Sequence, residues 1–277
     1  MKIQPLSQHI GALIEGIQLA ELDEPAFNEL QQAFLKHQVL FFREQTMSPQ
    51  EHLKLGQRFG QIEAVHPFFP HLDDADQVVI IETSRGNPPG ESFWHTDLTW
   101  QEKPSKCSIL HAQYVPQTGG DTVWCSMQAV WDRVPAEQKN YLRTLQGHHA
   151  LHAFEGSRYD RHETDQPGKQ QSFVANKSKE YPPVIHPVVT RHPETGRETL
   201  FVNEQFTRSI VGMEDAESQA LLNELFALAR SPEFQVRFQW QAGSVALWDN
   251  RNTQHYAVTD YGDQPRRLHR VTVCADG

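Results

Sequence analysis

The chain has 277 residues, 38% of them hydrophobic and 22% charged, and shows no internal period, heptad or low-complexity run, which excludes a solenoid, a coiled coil and a disordered tail. No stretch approaches the roughly 20 apolar residues of a membrane helix, so no membrane partner is expected. Lys plus Arg 25 against Asp plus Glu 35 gives a formal net charge of −10, which argues against a nucleic-acid partner. Three cysteines are too few and too odd for a disulfide framework, and with a start that lacks a charged-then-apolar leader they fit a reducing cytoplasm. The 15 histidines direct attention to a metal or acid–base site.

Along the chain, apolar residues at helical spacing predict a helix over 24–37, and QVLFF at 38–42 reads as a buried strand. A second helix is expected over 49–59, with Ser48 as N-cap and Pro49 in the first helical position. VVIIE at 78–82 is another buried strand, and RGNPPG at 85–90 is loop. Helices follow over 135–144 and 215–230, and strand-like runs at 106–113, 121–125, 184–190, 199–203, 235–240, 244–248 and 267–274. Strand and helix do not alternate regularly. The expected fold is therefore mainly β with flanking helices, built on a double-stranded β-helix (jelly-roll) core. Residues 1–277 read as a single domain, with the polar stretch 155–183 as a mobile insert beside the active site.

Nucleophile-elbow, phosphate-loop, HExxH and paired CxxC signatures are all missing. What remains is His95-Thr96-Asp97 with His255 far downstream. In an extended strand, residues two apart project from one face, so His95 and Asp97 can point at one ion. A second imidazole from another strand completes the facial triad associated with non-haem Fe(II). The tripeptide alone is weak, because a strand histidine bonded to a neighbour would look the same. Arg266 and Arg270 lie four apart on a strand-like run and share a face. A buried arginine needs an anion, so two of them suggest two anionic groups, one from a cosubstrate and one from a substrate. His148, His149 and His152 have no carboxylate at matched spacing and read as structural.

The segments HQVLFFR, VHPFFPH, FWHTD, GGDTVW, HPVVTRHPETG, LFVNEQFT, EFQVRFQWQ, LWDNRNTQHYA and RRLHR follow in an order that resembles the taurine dioxygenase family of Fe(II)- and 2-oxoglutarate-dependent dioxygenases. The resemblance implies that His95, Asp97 and His255 bind Fe(II), and that Arg266 and Thr122 hold the far carboxylate of 2-oxoglutarate. It further implies that Trp248 packs near the iron and that His66, Phe206 and Arg270 contact the substrate, with Arg270 pairing its anionic group. The implied reaction uses O2, hydroxylates a substrate C–H and releases succinate and CO2. Asp97 keeps the third protein ligand, which disfavours halogenation. Phe69 stands where the family has a tyrosine, Glu91 where it has an asparagine, and ALHAFEGSR also departs from the pattern. The leading substrate is a small organic anion, a taurine-like sulfonate or a carboxylate. An amine-bearing or amino-acid-derived molecule paired by Glu91 is the alternative. A non-enzymatic jelly-roll binding protein or a zinc hydrolase is a different class on the same ligands. Members of the family are commonly dimers or tetramers, so a homo-oligomer is expected.

Overall fold

The strand Val39–Phe42 is buried at every residue because it lies between two apolar layers. Leu40 and Phe42 face Phe27, Leu30 and Phe34 of the helix Glu24–His37 and Leu55 and Phe59 of the helix Pro49–Phe59. Val39 and Phe41 point the opposite way, as the period-2 geometry of a strand requires. There Phe41 stacks on Phe238 at 4.3 Å and meets Trp124 edge-on at 5.2 Å, joining two facing sheets. Each such fully buried large side chain contributes about 2–3 kcal/mol. The structure, a computed structural model, describes residues 1–87, 89–90, 92–156, 160, 162–163 and 171–275.

The larger sheet has eight strands in the order Lys2–Pro5, Ala12–Glu15, Val39–Phe42, Val245–Asp249, Cys107–Tyr114, Arg266–Val273, Ala75–Thr83 and His71–Leu72. The facing sheet has three: Gln235–Phe238, Thr122–Ser126 and Thr253–Ala257. Long crossovers set remote residues opposite one another, Trp248 against Ser108 and His255 against Trp124. The helices Met127–Arg133 and Asp215–Ala229 cover the outer side of the smaller sheet through Ala129, Val130, Leu222 and Leu225. Two facing, unclosed sheets with helices outside are the expected mainly β jelly-roll architecture. No helix among the described residues is long and apolar enough to cross a membrane.

The predicted helix at 49–59 has the expected start: the Ser48 hydroxyl accepts from the Glu51 N–H, and the Glu51 carboxylate accepts from the Ser48 N–H. Inside this helix, Gly56 sits against the larger sheet. A Cβ there would lie 2.7 Å from Ile62 Cδ1 and 2.7 Å from Val271 Cγ1. Ile62 can yield, but the β-branched Val271 on a central strand cannot, so Gly56→Ala is expected to destabilise by about 1–2 kcal/mol despite its better helix propensity. A urea midpoint equal to or above wild type would show that the sheet gives way.

Several expectations change on the structure. The run 184–190 divides into Val184–Pro187 and Val189–Arg191, because the chain leaves one partner strand (Gln146–His149) for another (Glu198–Leu200) at the buried Val188. Part of the expected insert 155–183 lies outside the described residues. The rest holds a short strand pair, His162–Glu163 with Gln171–Ser172, and the helix Phe173–Glu180, whose N-cap hydroxyl, Ser172, accepts from the Ala175 N–H. The extended strand expected at His95–Asp97 is instead a single bridge: His95 and His255 exchange backbone hydrogen bonds of 3.1 and 2.8 Å, and a turn follows at once. Leu98 takes φ 58° in that turn, a left-handed conformation that bends the chain away from the sheet.

Candidate active site

The bridge between His95 and His255 does what a shared strand face was expected to do. It brings two imidazoles 160 positions apart in sequence to a ring separation of 4.1 Å. Thr96 fastens the same segment by donating its hydroxyl to the Thr253 carbonyl at 2.8 Å. The turn after His95 then places Asp97 Oδ1 at 3.7 Å from His95 Nε2 and 3.9 Å from His255 Nε2. Ligand atoms of these three residues all lie within 4.8 Å of one another, the only such His/Cys/Asp/Glu group among the described residues.

The donor set fits a divalent metal ion. His95 Nδ1 lies 2.9 Å from the Phe93 carbonyl, which can only accept, so the hydrogen is on Nδ1 and Nε2 keeps its lone pair for a metal. Burial lowers the pKa of both imidazoles, and for His255 the neighbouring His95 adds to the effect. Both are thus neutral at physiological pH. Burial pushes the Asp97 carboxyl up, but the charge of Arg270 and a hydrogen bond from Ser108 oppose it and hold the group well below the usual carboxylate range. Two neutral nitrogens and one carboxylate oxygen around a common point are the ligands of a non-haem iron triad.

These atoms line a cavity of about 190 Å³. Arg266, Leu268 and Arg270 project into it from alternate positions of Arg266–Val273, as expected for residues sharing a strand face. Arg266 is 6% exposed, and its Nε is buried without a hydrogen-bond partner. It makes no ion pair among the described residues, so its position calls for an external anion. Thr122 lines the same cavity from the facing sheet, and its oxygen accepts from Trp240 Nε1 at 2.9 Å, which leaves its own hydrogen to be donated elsewhere. Gly120, two residues before Thr122, lets the chain pass close to Arg266, since a Cβ would meet Tyr261 at 3.2 Å and the Arg266 side chain at 3.4 Å, at a φ of 71° that favours glycine.

The expected substrate contacts His66, Phe69, Phe206 and Arg270 line the same cavity. The His66 Nδ1 accepts the N–H groups of Phe68 and Phe69 at 3.2 and 3.3 Å. Its hydrogen is therefore on Nε2, and burial followed by the charge of Arg270 keeps the ring neutral. Arg270 Nη1 donates to Asp97 Oδ1 at 3.1 Å, while its Nε is buried and unpartnered. Its guanidinium carbon lies 5.3 Å from the centre of the Phe69 ring, so the residue that departs from the family pattern offers a π face in place of a hydroxyl. Phe206 packs its ring 6.2 Å from His95. Glu91 lies outside the described residues. His149 and His186 approach at 5.0 Å without a carboxylate, in keeping with a structural role.

Two groups of residues escaped the sequence reading. Phe154 lines the cavity from a short helical turn, Leu151–Phe154, and stacks on Phe68 at 4.6 Å. Its only signal was the departure of ALHAFEGSR from the family pattern. The second group lies behind Asp97, where Ser105, Ser108 and Asn250 form a buried hydrogen-bonded cluster. Trp248 packs 4.9 Å from His255, as the LWDNR run suggested. The turn after it is braced by Asp249, which accepts from Arg251 at 2.6 and 2.8 Å and pairs with His192 at 3.0 Å.

Comparison with known proteins agrees with this geometry. Residues 2–272 match the family model described as taurine catabolism dioxygenase TauD, TfdA family. The chain is 37% identical over 279 residues to an alkylsulfatase of Acinetobacter baylyi, covering 100% of this chain and 86% of the relative. It is 34% identical to an alpha-ketoglutarate-dependent sulfate ester dioxygenase of Pseudomonas putida, covering 100% and 90%. The crystal structure of a taurine dioxygenase from Burkholderia xenovorans superimposes with a TM-score of 0.82 at 35% identity, over 99% of this chain and 89% of that one. The family that its motifs resemble is therefore the one to which this chain belongs: the TauD, TfdA family of dioxygenases.

Proposed function

We propose that this chain oxidises a C–H bond of a small alkyl sulfate ester or sulfonate, consuming O2 and 2-oxoglutarate and releasing succinate and CO2. The class is that of the family, a 2-oxoglutarate-dependent non-haem iron dioxygenase acting on small organic anions. In this reading His95 Nε2, Asp97 Oδ1 and His255 Nε2 hold Fe(II), while Arg266 and the Thr122 hydroxyl bind the far carboxylate of 2-oxoglutarate. Bound iron and 2-oxoglutarate together supply the activation of O2 that breaks the C–H bond.

The chain's own residues determine what is oxidised. The buried Arg270 guanidinium and the Nε2–H of the half-buried His66 provide two donors for an anionic head group. Phe69, Phe154 and Phe206 line the same cavity and exclude water from an apolar tail. This pairing of a charged end with an aromatic wall is the observation that carries the proposal, and it suits an alkyl sulfate better than a short zwitterion. Hydroxylation at the carbon bearing the sulfate oxygen gives an adduct whose C–O bond breaks to an aldehyde and sulfate. The proposal also keeps the chain as one dioxygenase domain, supported by the family match over 2–272. It further takes the protein to be a cytoplasmic homo-oligomer; three cysteines are too few for a disulfide framework, which suits a reducing compartment.

The test is succinate formation by the Fe(II)-loaded protein against alkyl sulfates, sulfonates, aryloxy acids and amino acids. Succinate and aldehyde in equal amounts with an alkyl sulfate are expected. Turnover only with an amino acid would overturn the substrate assignment. Metal-independent release of sulfate would reveal a hydrolase.

A further inference from the structure

We infer that Asn250, acting through Ser108, is a positioning residue that makes Asp97 a one-oxygen metal ligand with Oδ1 facing the two imidazoles. The inference rests on the metal-binding reading above and extends it to residues that touch neither metal nor substrate. An indole N–H can only donate, so the Asn250 amide oxygen, 2.9 Å from Trp248 Nε1, must be the end that faces it. The Asn250 amide nitrogen is thereby turned toward Ser105 Oγ at 3.0 Å and Ser108 Oγ at 2.9 Å. Both of its hydrogens are committed.

Each serine oxygen thus receives a hydrogen, and its own single hydrogen turns the other way. Ser108 donates to Asp97 Oδ2 at 2.8 Å, and Ser105 donates to the Asp97 backbone carbonyl at 3.3 Å. The direction of every hydrogen in the cluster follows from the one donor-only group at its end. Ser105, Ser108, Asn250 and Trp248 are each no more than 1% exposed, so water does not compete for these bonds. With Oδ2 held from behind, Oδ1 is the carboxylate oxygen left toward the imidazoles, at 3.7 and 3.9 Å. A rotation that turned both oxygens toward the imidazoles would break the Ser108 bond. The same Trp248 ring packs 4.9 Å from His255, so one cluster braces ligands that arrive on separate segments of the chain.

The experiment measures metal affinity. Metal-free wild type, Ser108→Ala and Asn250→Ala are titrated anaerobically with Fe(II), and with Co(II), whose ligand-field spectrum reports its coordination. Ser108→Ala is expected to raise both dissociation constants about 10–100-fold and to alter the Co(II) spectrum while the far-UV circular dichroism is unchanged. Asn250→Ala should raise them less, and its effect should shrink in the Ser108→Ala background, because the two share the bond from Ser108 to Asp97. A Ser108→Ala variant that binds both metals within twofold of wild type overturns the inference, even if its Tm falls. Wild type that binds neither metal overturns the underlying metal reading, a result seen before any variant is made.

Discussion

Replacing Asp97 with alanine is expected to lower Fe(II)-dependent succinate formation by about 10³-fold or more, and also to destabilise the metal-free protein by about 3–5 kcal/mol. The first effect follows from ligand loss: removing even an outer partner of a metal site costs about 10–100-fold, and a direct ligand costs more. The second has a different origin. Arg270 Nη1 donates to Asp97 Oδ1 at 3.1 Å, with side chains 7% and 5% exposed, so Asp97→Ala leaves a buried guanidinium without its counter-ion. His255→Ala separates the two effects. It removes a ligand that carries no charge, so activity should fall as far while stability changes only by the cost of the cavity. Urea unfolding in the presence of chelator, alongside the succinate assay, tests this. Equal stability losses in the two variants would show that Arg270 gains little from Asp97.

The part of the site that could be read from the sequence is the part whose chemistry leaves few alternatives. His95, Asp97 and His255 stand out because a metal needs those residue types, and Arg266 and Arg270 because a buried cation is costly unless an anion meets it. Both arginines do enter the cavity from one strand face. The helix at Pro49–Phe59 was legible to the residue, since a capping serine, a proline and a glutamate leave one start position. By contrast, the backbone carrying His95 and Asp97 was misread as a strand. Spacing of two is also met by one bridging residue followed by a left-handed turn at Leu98, and no local pattern separates the two. The N-terminal strands Lys2–Pro5 and Ala12–Glu15 were missed because each has only four residues, the first pairing with the second and the second docking in parallel on Val39–Phe42. Ser108 and Asn250 carry no signature of their own. A strand serine becomes a positioning group only when a crossover sets it opposite Trp248 and behind Asp97.

Acid should unfold the metal-free protein well above the carboxylate range, with histidines responsible. His52 is 1% exposed and His149 is 0% exposed. Burial, followed by neighbouring histidines, lowers each imidazole from 6.5 to about 3. The native state therefore keeps both neutral down to about pH 3, while the unfolded chain takes up a proton on each below about 6.5. A folded pKa below the unfolded one means stability is complete above the unfolded value and is lost as pH falls toward the folded value. Each group contributes a slope of up to about 1.4 kcal/mol per pH unit in that window. Between about pH 6.5 and 4.5 the pair removes about 5 kcal/mol, comparable with the whole stability of a typical domain. Depressed carboxylates such as Asp249 act mainly below their ordinary value of 3.8, so they contribute little between about pH 6.5 and 4.5. His52→Gln preserves a donor toward the Ile109 carbonyl, which His52 Nε2 meets at 3.1 Å, and removes the titration. Unfolding free energies from urea, measured in chelator from pH 7.5 to 4.5, should fall less steeply in the variant by about 1 kcal/mol per pH unit. Parallel curves for variant and wild type would mean that His52 gains its proton in the folded state and that the acid sensitivity arises elsewhere.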